Sequence, residues 1–574
     1  MLASGKAIGV GSPRASLESN FALRTLVGPN GFYSGMADSE ARLVALAVNI
    51  LRRGPMRTPT LHEVEACDAV FILGEDVTNV APRMALALRQ SVRQQPIVAA
   101  KKLKIPLWMD HGMRDAIQDK KGPLYIATPY ATRLDEIATA TFHAAPDDIA
   151  RLGFAVAHAL DPQALSRGDF PLAGEIARAL KDARKPLVIS GPSCHSEAII
   201  EASANVAMAV GAHLSFTAPE CNTVGAMFMG ANPMSAAFQA VKDGDADTLI
   251  ILENDLYRRA PRADVDALLK ATAHVIVLDH LVNPMSEQAE LVLPSGTFAE
   301  SDGTFISSEG RAQRFVQVFV PPSSIQSSWR WLGQGSWESL DEVLAAMATA
   351  LPQLGPARDA APPATFRMAG AKVPRSSHRS SGRTAVLANI NVSEPKPPDD
   401  PDSPLAFSME GAPNHPPGSL IPFVWSPGWN SIQATNTYQK EIGGPLRGGD
   451  PGVRMFEPAS TNERSYFSGI PSAFEPRQGE WFLVPMHYMF GSDELSRSAQ
   501  GIAEVTAAPH IAVKAGDLDL MEGEMVEVRC AGGTFRLPVH IRPDLPIGVA
   551  GLPAGMPPIV GLDLPAWGKI GRVT

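Results

Sequence analysis

The chain has 574 residues, of which 45% are hydrophobic and 19% charged, with a net charge of −10. Such a length accommodates about three to five domains, and such a hydrophobic share excludes a disordered chain. With 60 acidic against 50 basic residues, it lacks the clustered Lys and Arg of a general nucleic-acid binder.

In chain order, Ala7–Val10 reads as an internal strand. Ser12-Pro13 reads as an N-cap followed by proline at the first helical position, opening a helix with Leu17 and Phe21 on one face. Apolar β-branched runs follow at Val70–Leu73, Leu187–Ile189, Leu249–Leu252 and Val275–Leu278. Each is apolar on both faces, as buried parallel strands are. Between them the spacing is helical; Pro82 precedes Ala85, Leu88 and Val92. Strands alternating with helices predict an α/β architecture with a mostly parallel sheet. Cys221–Val241 is a long uncharged stretch, but Asn222, Gly225, Asn232 and Pro233 make it too polar to span a bilayer. Met1–Val10 has no apolar run of a signal peptide.

A break in texture follows. Fifteen of the 50 prolines fall between Pro352 and Pro427, which excludes a regular sheet or bundle there. The segment is either a linker or an extended arm pinned along a surface. Phe366, Leu405, Phe407, Met409, Phe423, Trp425 and Trp429 favour the arm. From Gln478 the pattern is β-rich: Val526-Glu527-Val528 alternates, Thr534–Ile541 is nearly continuous, and Ala531-Gly532-Gly533 turns between them. The expected division is an α/β body of two Rossmann-like subdomains over 1–350, a proline-rich arm over 351–477 and a small barrel over 478–574.

Candidate ligand positions lie where apolar strands run into Gly and acids. The first is Gly74, Glu75 and Asp76 after Phe71-Ile72-Leu73; Leu252-Glu253-Asn254-Asp255 and Leu278-Asp279-His280 repeat the pattern. An acid such as Asp279 at a strand end can bind a ribose hydroxyl, and Gly permits close backbone approach. The plainer reading is turn chemistry at the end of a buried strand. No strand is followed by GxGxxG or a P-loop. Cys67, Cys194, Cys221 and Cys530 are too far apart for CxxC metal or cluster sites and read as reduced, mostly buried thiols. Cys194-His195 sits in a loop where a reactive thiol is conceivable. His378, His415, His487 and His510 read as surface or arm residues. Arg375, Arg379 and Arg383 read as a solvated arm, or as a contact with an acidic partner. No catalytic constellation and no metal site can be assembled.

The densest segment, Ala289–Gln313, runs from a short strand into a loop rich in Ser, Thr, Gly and acids. It resembles a signature of the molybdopterin-dinucleotide oxidoreductase superfamily, as does Lys185–Gly191. Gly11–Arg24, Arg151–Leu160, Ser381–Ala385, Phe407–Gly411, Pro427–Ser431 and Phe490–Ser496 are more specific. They resemble the large iron–sulfur subunit of bacterial NADH-quinone oxidoreductase, respiratory complex I. The resemblance runs from about Ala7 to about Met556.

The resemblance implies a molybdopterin-oxidoreductase-like α/β body (the formate dehydrogenase/DMSO reductase fold) with parallel sheets, plus a C-terminal double-psi β-barrel that closes over the cofactor in the superfamily. It implies no molybdenum in this subunit, with iron–sulfur clusters held in an N-terminal region that four scattered cysteines cannot replace. The expectation is therefore a fragment or half of a split subunit that carries no cofactor, molybdopterin included, and no catalytic residue. It would serve as the structural body of a complex that moves electrons from NADH to quinone and couples this to proton translocation. Its partners would be other subunits of the hydrophilic arm, and it would lie peripherally on the cytoplasmic side of the inner membrane. The alternatives are a molybdopterin-dependent oxidoreductase and an unrelated α/β ligand-binding protein. In the former, nucleotide groups would sit at Gly74–Asp76 and Asp279 under the barrel near Ser496–Ser498. Its ligand-bearing stretch, Gly28–Glu65, holds no Cys, leaving Ser34 and Ser39.

Overall fold

The structure, a computed structural model, describes residues 6–106, 109–322, 324–362, 452–459 and 464–573. The apolar residues assigned to the arm (Phe366 to Trp429), the Arg375–Arg383 cluster, His378, His415 and the motifs at 381–385, 407–411 and 427–431 lie outside the described residues.

Two parallel sheets form the body. β1 (Ala7–Val10) and β2 (Phe32–Tyr33) begin the first. The chain then leaves it to build a complete second sheet from β3 (Ala69–Leu73), β4 (Leu124–Thr128), β5 (Ala140–His143), β6 (Pro186–Ser190) and β7 (His213–Phe216). It returns with β8 (Thr248–Leu252), β9 (His274–Asp279) and β10 (Leu291–Pro294). The strand order is β2-β1-β8-β9-β10 in the first sheet and β5-β4-β3-β6-β7 in the second, with every pair parallel. The four apolar runs are β3, β6, β8 and β9. β3 and β8 are buried at every position, because helices cover both faces of a parallel sheet.

The first helix starts later than Ser12-Pro13 predicts. It spans Leu17–Val27, capped by Ser16, whose Oγ accepts the Ser19 N–H. Ser12 cannot cap it because the loop is gripped from inside. Asn20 Nδ2 donates to the carbonyls of Ser12, Ala15 and Ser16 at 2.9, 3.2 and 3.0 Å, and its Oδ1 accepts the Ser12 N–H at 3.0 Å. The loop therefore stays open over the end of β1 and carries Arg14 with it. After β3 the Pro82–Ser91 helix has its proline in the first turn, as read.

β11 (Gly303–Ile306), β12 (Arg311–Phe315) and β13 (Val453–Arg454) form a small antiparallel sheet. The chain just after residue 351 is not arm-like. Pro352–Ala360 is a 3₁₀ helix whose Leu354, Ala357 and Ala360 are buried in one core with Trp329. Tyr466, Phe467 and Ile470 pack against the core of the second sheet, and Asn205 and the Phe467 backbone exchange two hydrogen bonds of 2.9 Å. Both stretches carry apolar side chains that complete a core, so they are held to the body.

The C-terminal unit is a closed six-stranded barrel. Its strands are β14 (Trp481–Met486), β15 (Ile511–Val513), β16 (Met525–Cys530), β17 (Gly533–Ile541), β18 (Val549–Pro553) and β19 (Ala566–Arg572). They close in the order β14-β18-β15-β17-β16-β19. β14–β18 and β15–β17 are parallel within an otherwise antiparallel ring, in keeping with the double-psi barrel. The Cys530↔Gly533 pairing confirms the hairpin, with Ala531-Gly532 at its tip. Of the four thiols, Cys67 and Cys194 are buried, Cys530 is partly covered and Cys221 is exposed. The expectation of mostly buried cysteines thus holds for two, since Cys530 lies at a hairpin end and Cys221 in a loop. Among the described residues no helix is long and apolar enough to cross a membrane.

Gly35 fixes the approach of β1 to the loop after β2. Its φ is +66°, and a Cβ there would sit 1.9 Å from the Gly11 carbonyl oxygen. Asn254 Nδ2 donates to the carbonyls of both glycines at 2.9 and 2.7 Å. Gly35→Ala is expected to lower stability by about 3 kcal/mol, measured as a shift of the denaturant midpoint at unchanged slope.

Candidate functional site

In an open α/β sheet, ligands bind beyond the carboxyl ends of the strands where the strand order reverses. The first sheet reverses between β1 and β8, and the second between β3 and β6. The segments leaving these ends are Gly11–Arg14, Glu253–Asp255, Gly74–Asp76 and Gly191–His195. Arg14, Glu253, Pro192, Ser193 and His195 of these segments line a common crevice, closed on its third side by the barrel loop that contains Met489–Ser496 and made up of three cavities of about 900, 630 and 380 Å³; Gly74–Asp76 line none of the three.

The sequence-predicted positions lie at these ends, but their polar atoms are used within the chain. Gly74 has φ +81°, and its carbonyl accepts the Cys194 thiol at 3.0 Å. Glu75 accepts the Ser193 N–H at 2.9 Å and the Ser193 hydroxyl at 2.7 Å. Gly191 lets it come that close, because a Cβ there would lie 2.6 Å from Glu75 Oε1. Asp76 caps the helix Val77–Val80, accepting from the Thr78 N–H at 3.1 Å and from Asn79 Nδ2 at 2.6 Å. Asp279 accepts the N–H groups of His280 and Leu281 at 2.7 and 3.1 Å and Asn283 Nδ2 at 2.9 Å. Gly74, Glu75 and Asp76 are grouped at the second sheet, and Asp279 stands apart at the first. These bonds are the turn chemistry of the plainer reading.

Sequence reasoning missed the group at the centre. Arg14 is largely covered, its side chain 10% exposed, and its Nη1 lies 2.9 Å from Glu494 of the barrel loop. Its Nη2 is 3.7 Å from Asp279, and its Nε is 4.0 Å from Glu220, which follows β7. Its Nε and Nη2 also donate to the Glu253 carbonyl at 3.2 and 2.7 Å. Burial works against the guanidinium charge, but Glu494, then Glu220 and Asp279, hold its pKa above the ordinary value. Arg259 pairs with Glu220 and is stabilised as a cation in the same way. Arg258 binds the Ser492 and Gly555 carbonyls at 2.7 and 3.2 Å. Asp255 is pushed up to about 6 by burial and then by Glu494. The one signal for Arg14 was its place, four residues after an internal strand.

His487 corrects a second expectation. It stands in the wall shared by two of the cavities, not on the surface, and burial followed by neighbouring His195 lowers its pKa to about 4. It follows directly on β14, so barrel closure carries it inward. His195 faces the same cavities, its pKa lowered by burial, and Nδ1 of each ring is buried without a hydrogen-bond partner among the described residues.

The side chains present do not fit a molybdenum–pterin centre. Burial holds the Cys194 thiol far above its usual range, away from the thiolate a soft metal needs, and it donates to the Gly74 carbonyl; the Cys221 thiol donates to the Arg14 carbonyl at 3.6 Å. Ser34 Oγ accepts the Met36 N–H at 3.4 Å, and Ser39 donates to Asp563 at 3.2 Å. Among the described residues no cluster of three His, Cys, Asp or Glu is placed to hold a metal. The crevice is instead crossed by the ion pairs of Arg14.

Residues 148–333 match the model of the molybdopterin oxidoreductase family. The fold agrees. Acetylene hydratase from Pelobacter acetylenicus superposes with a TM-score of 0.55 at 13% identity, covering 100% of this chain and 87% of that one. Over 96% of its length the chain is 44% identical to the subunit of Pseudomonas fluorescens NADH-quinone oxidoreductase that is designated G. Over nearly its whole length the chain is similar to that subunit. The same protein of Escherichia coli K12 is 44% identical over 96% of the chain. The chain spans 64% of the length of these relatives.

The ion pairs and the buried carboxyl each give a measurable outcome. Glu494→Gln leaves Arg14 short of its nearest counter-charge in a buried position, which is expected to cost about 3 kcal/mol. Hydrogen exchange should speed up at residues 488–497 while the barrel strands keep their protection. Glu75 supplies a pH dependence. Burial raises its carboxyl from 4.5 to about 7 despite bonds from Ser193 and Thr217. The native state then holds a proton the unfolded state has lost. Its contribution is therefore full below pH 4.5, falls as pH rises to about 7 and is flat beyond. The fall is of order 3 kcal/mol. Glu75→Gln should remove it, read as a smaller difference in unfolding free energy between about pH 5 and pH 8 than in the unaltered protein.

Proposed function

We propose that this chain is the non-catalytic structural body of the large subunit of NADH-quinone oxidoreductase. In that role it holds the cluster-bearing region and neighbouring subunits of the hydrophilic arm in place. The complex as a whole transfers electrons from NADH to quinone and translocates protons. Its place is peripheral, on the cytoplasmic side of the membrane, and it needs no molybdopterin of its own.

The observation that carries this reading is the ion-pair network through the crevice. A cofactor-binding crevice presents unspent polar groups to its ligand. Here the charged groups Arg14, Glu220, Asp279 and Glu494 meet one another and bind the strand ends to the barrel, while Nδ1 of His195 and of His487 in the cavity wall stay unpaired among the described residues. The similarity to the NADH-quinone oxidoreductase subunits of Pseudomonas fluorescens and Escherichia coli supports the assembly. The cavities of about 900 and 630 Å³ beside the network favour the second reading, a molybdopterin-dependent oxidoreductase.

Membranes from the source cells, run on a native gel and stained for NADH oxidation, should show the chain within the large active band when blotted. Molybdenum and pterin fluorescence should be absent from the purified chain. Migration apart from that band would remove the assembly reading, and stoichiometric molybdenum with pterin would establish the second.

A further inference from the structure

Between β3 and β4 the second sheet carries a helical hairpin, Gln94–Lys102 and Asp110–Ile117. The hairpin is tied down at its base. Gly122 N–H donates to the Val92 carbonyl at 2.6 Å, and the side chains of Gln94 and Gln95 donate to the Glu65 and Asp68 carbonyls at 2.7 and 3.0 Å. Asp68 and Gly122 immediately precede β3 and β4 and their neighbours, so the hairpin projects from the amino ends of the strands. The crevice is at the other end, and the hairpin takes no part in it.

Its chemistry runs against that of the rest of the chain. Residues 94–121 contain six basic and three acidic side chains, in a protein of net charge −10. Lys101, Lys102, Lys104 and Lys120 are exposed, and their ammonium groups have no partner among the described residues. Leu103 is 66% exposed among them, with Met109 at 41% and Val98 at 40%. The helix dipole accounts for Lys101 and Lys102, which lie in a last turn where cations are favoured. It does not account for Lys104, beyond the helix in a left-handed turn at φ +58°, or for Lys120. Nor does it explain a leucine held in water between lysines. An apolar anchor ringed by cations has the make-up of an interface core with a charged rim.

We propose that this hairpin is a docking surface for an acidic protein surface, with Leu103 and Met109 entering an apolar pocket and the lysines meeting carboxylates around it. The proposal rests on the assembly reading above and names the chemistry of one partner. A protein fits better than a membrane. The helices have nine and eight residues and lack the broad apolar face that an interfacial helix buries. An anionic bilayer would also repel the acidic remainder of the chain, whereas a compact acidic patch engages the hairpin alone and orients it.

The test places a photo-crosslinking residue at Leu103 in the full chain in its own cells. Irradiation should give an adduct to a protein, mapped to a segment rich in Asp and Glu. Lys101→Glu, Lys102→Glu and Lys104→Glu together should lower its yield about tenfold, and the three Arg replacements should retain it. Circular dichroism controls for folding, which exposed charge changes should leave intact. An adduct to lipid, no adduct, or a yield unmoved by charge reversal would overturn the proposal. An acidic adduct formed outside the NADH-oxidising band would uphold the hairpin and remove the assembly reading; a chain in the band with no adduct would do the reverse.

Discussion

A buried guanidinium sets the terms on which the three folding units can sit together. Taking Arg14 out of water costs several kcal/mol unless acceptors surround it. The acceptors come from different units: the Glu253 carbonyl and Asp279 from the first sheet, Glu220 from the loop leaving the second, and Glu494 from the barrel loop. No single unit supplies enough of them. The cost is met only when both sheets and the barrel are assembled, which makes the network a device for specifying their arrangement more than a source of stability. Asn20 holds the loop that presents Arg14, so the device is built into the first turn of the first helix.

The second switch point follows the same logic at smaller scale. Gly74 and Gly191 leave room at the ends of β3 and β6; Ile199 and Cys194 take it at Gly74, and Glu75, bonded to Ser193, takes it with Thr217 at Gly191. The fold therefore keeps the geometry by which doubly wound sheets present ligand sites and spends it on internal contacts. Likeness to acetylene hydratase at 13% identity speaks to that geometry alone. The outward face of the second sheet, at the amino ends of its strands, is free of this constraint, and there the basic hairpin stands.

Much of the architecture was legible in the sequence, because it follows from local chemistry. Runs such as Phe71-Ile72-Leu73 and Leu249–Leu252 are apolar on both faces, which leaves a buried parallel strand as the fitting element. The Ala531-Gly532-Gly533 turn between patterned strands specifies a hairpin. The Gly-acid strand ends were legible as positions. What escaped was register and capping. Ser12 and Ser16 both offer a hydroxyl before an apolar helical face, and only the grip of Asn20 on the loop selects Ser16. The burial of Pro352–Ala360 escaped because a proline-rich composition conceals which apolar residues face a core.

By itself, then, the sequence determined the apolar strands β3, β6, β8 and β9, the α/β class, the barrel hairpin and the absence of CxxC sites, since each depends on neighbours a few residues apart. Tertiary structure alone decided what the strand ends do. Arg14 and Glu494 are 480 positions apart, and no spacing rule brings a guanidinium and a carboxylate together over that distance. The inward turn of His487 was settled in the same way, by closure of the barrel on the sheets. Charge pairing and burial are properties of the assembled surfaces, and they exist only once those surfaces meet.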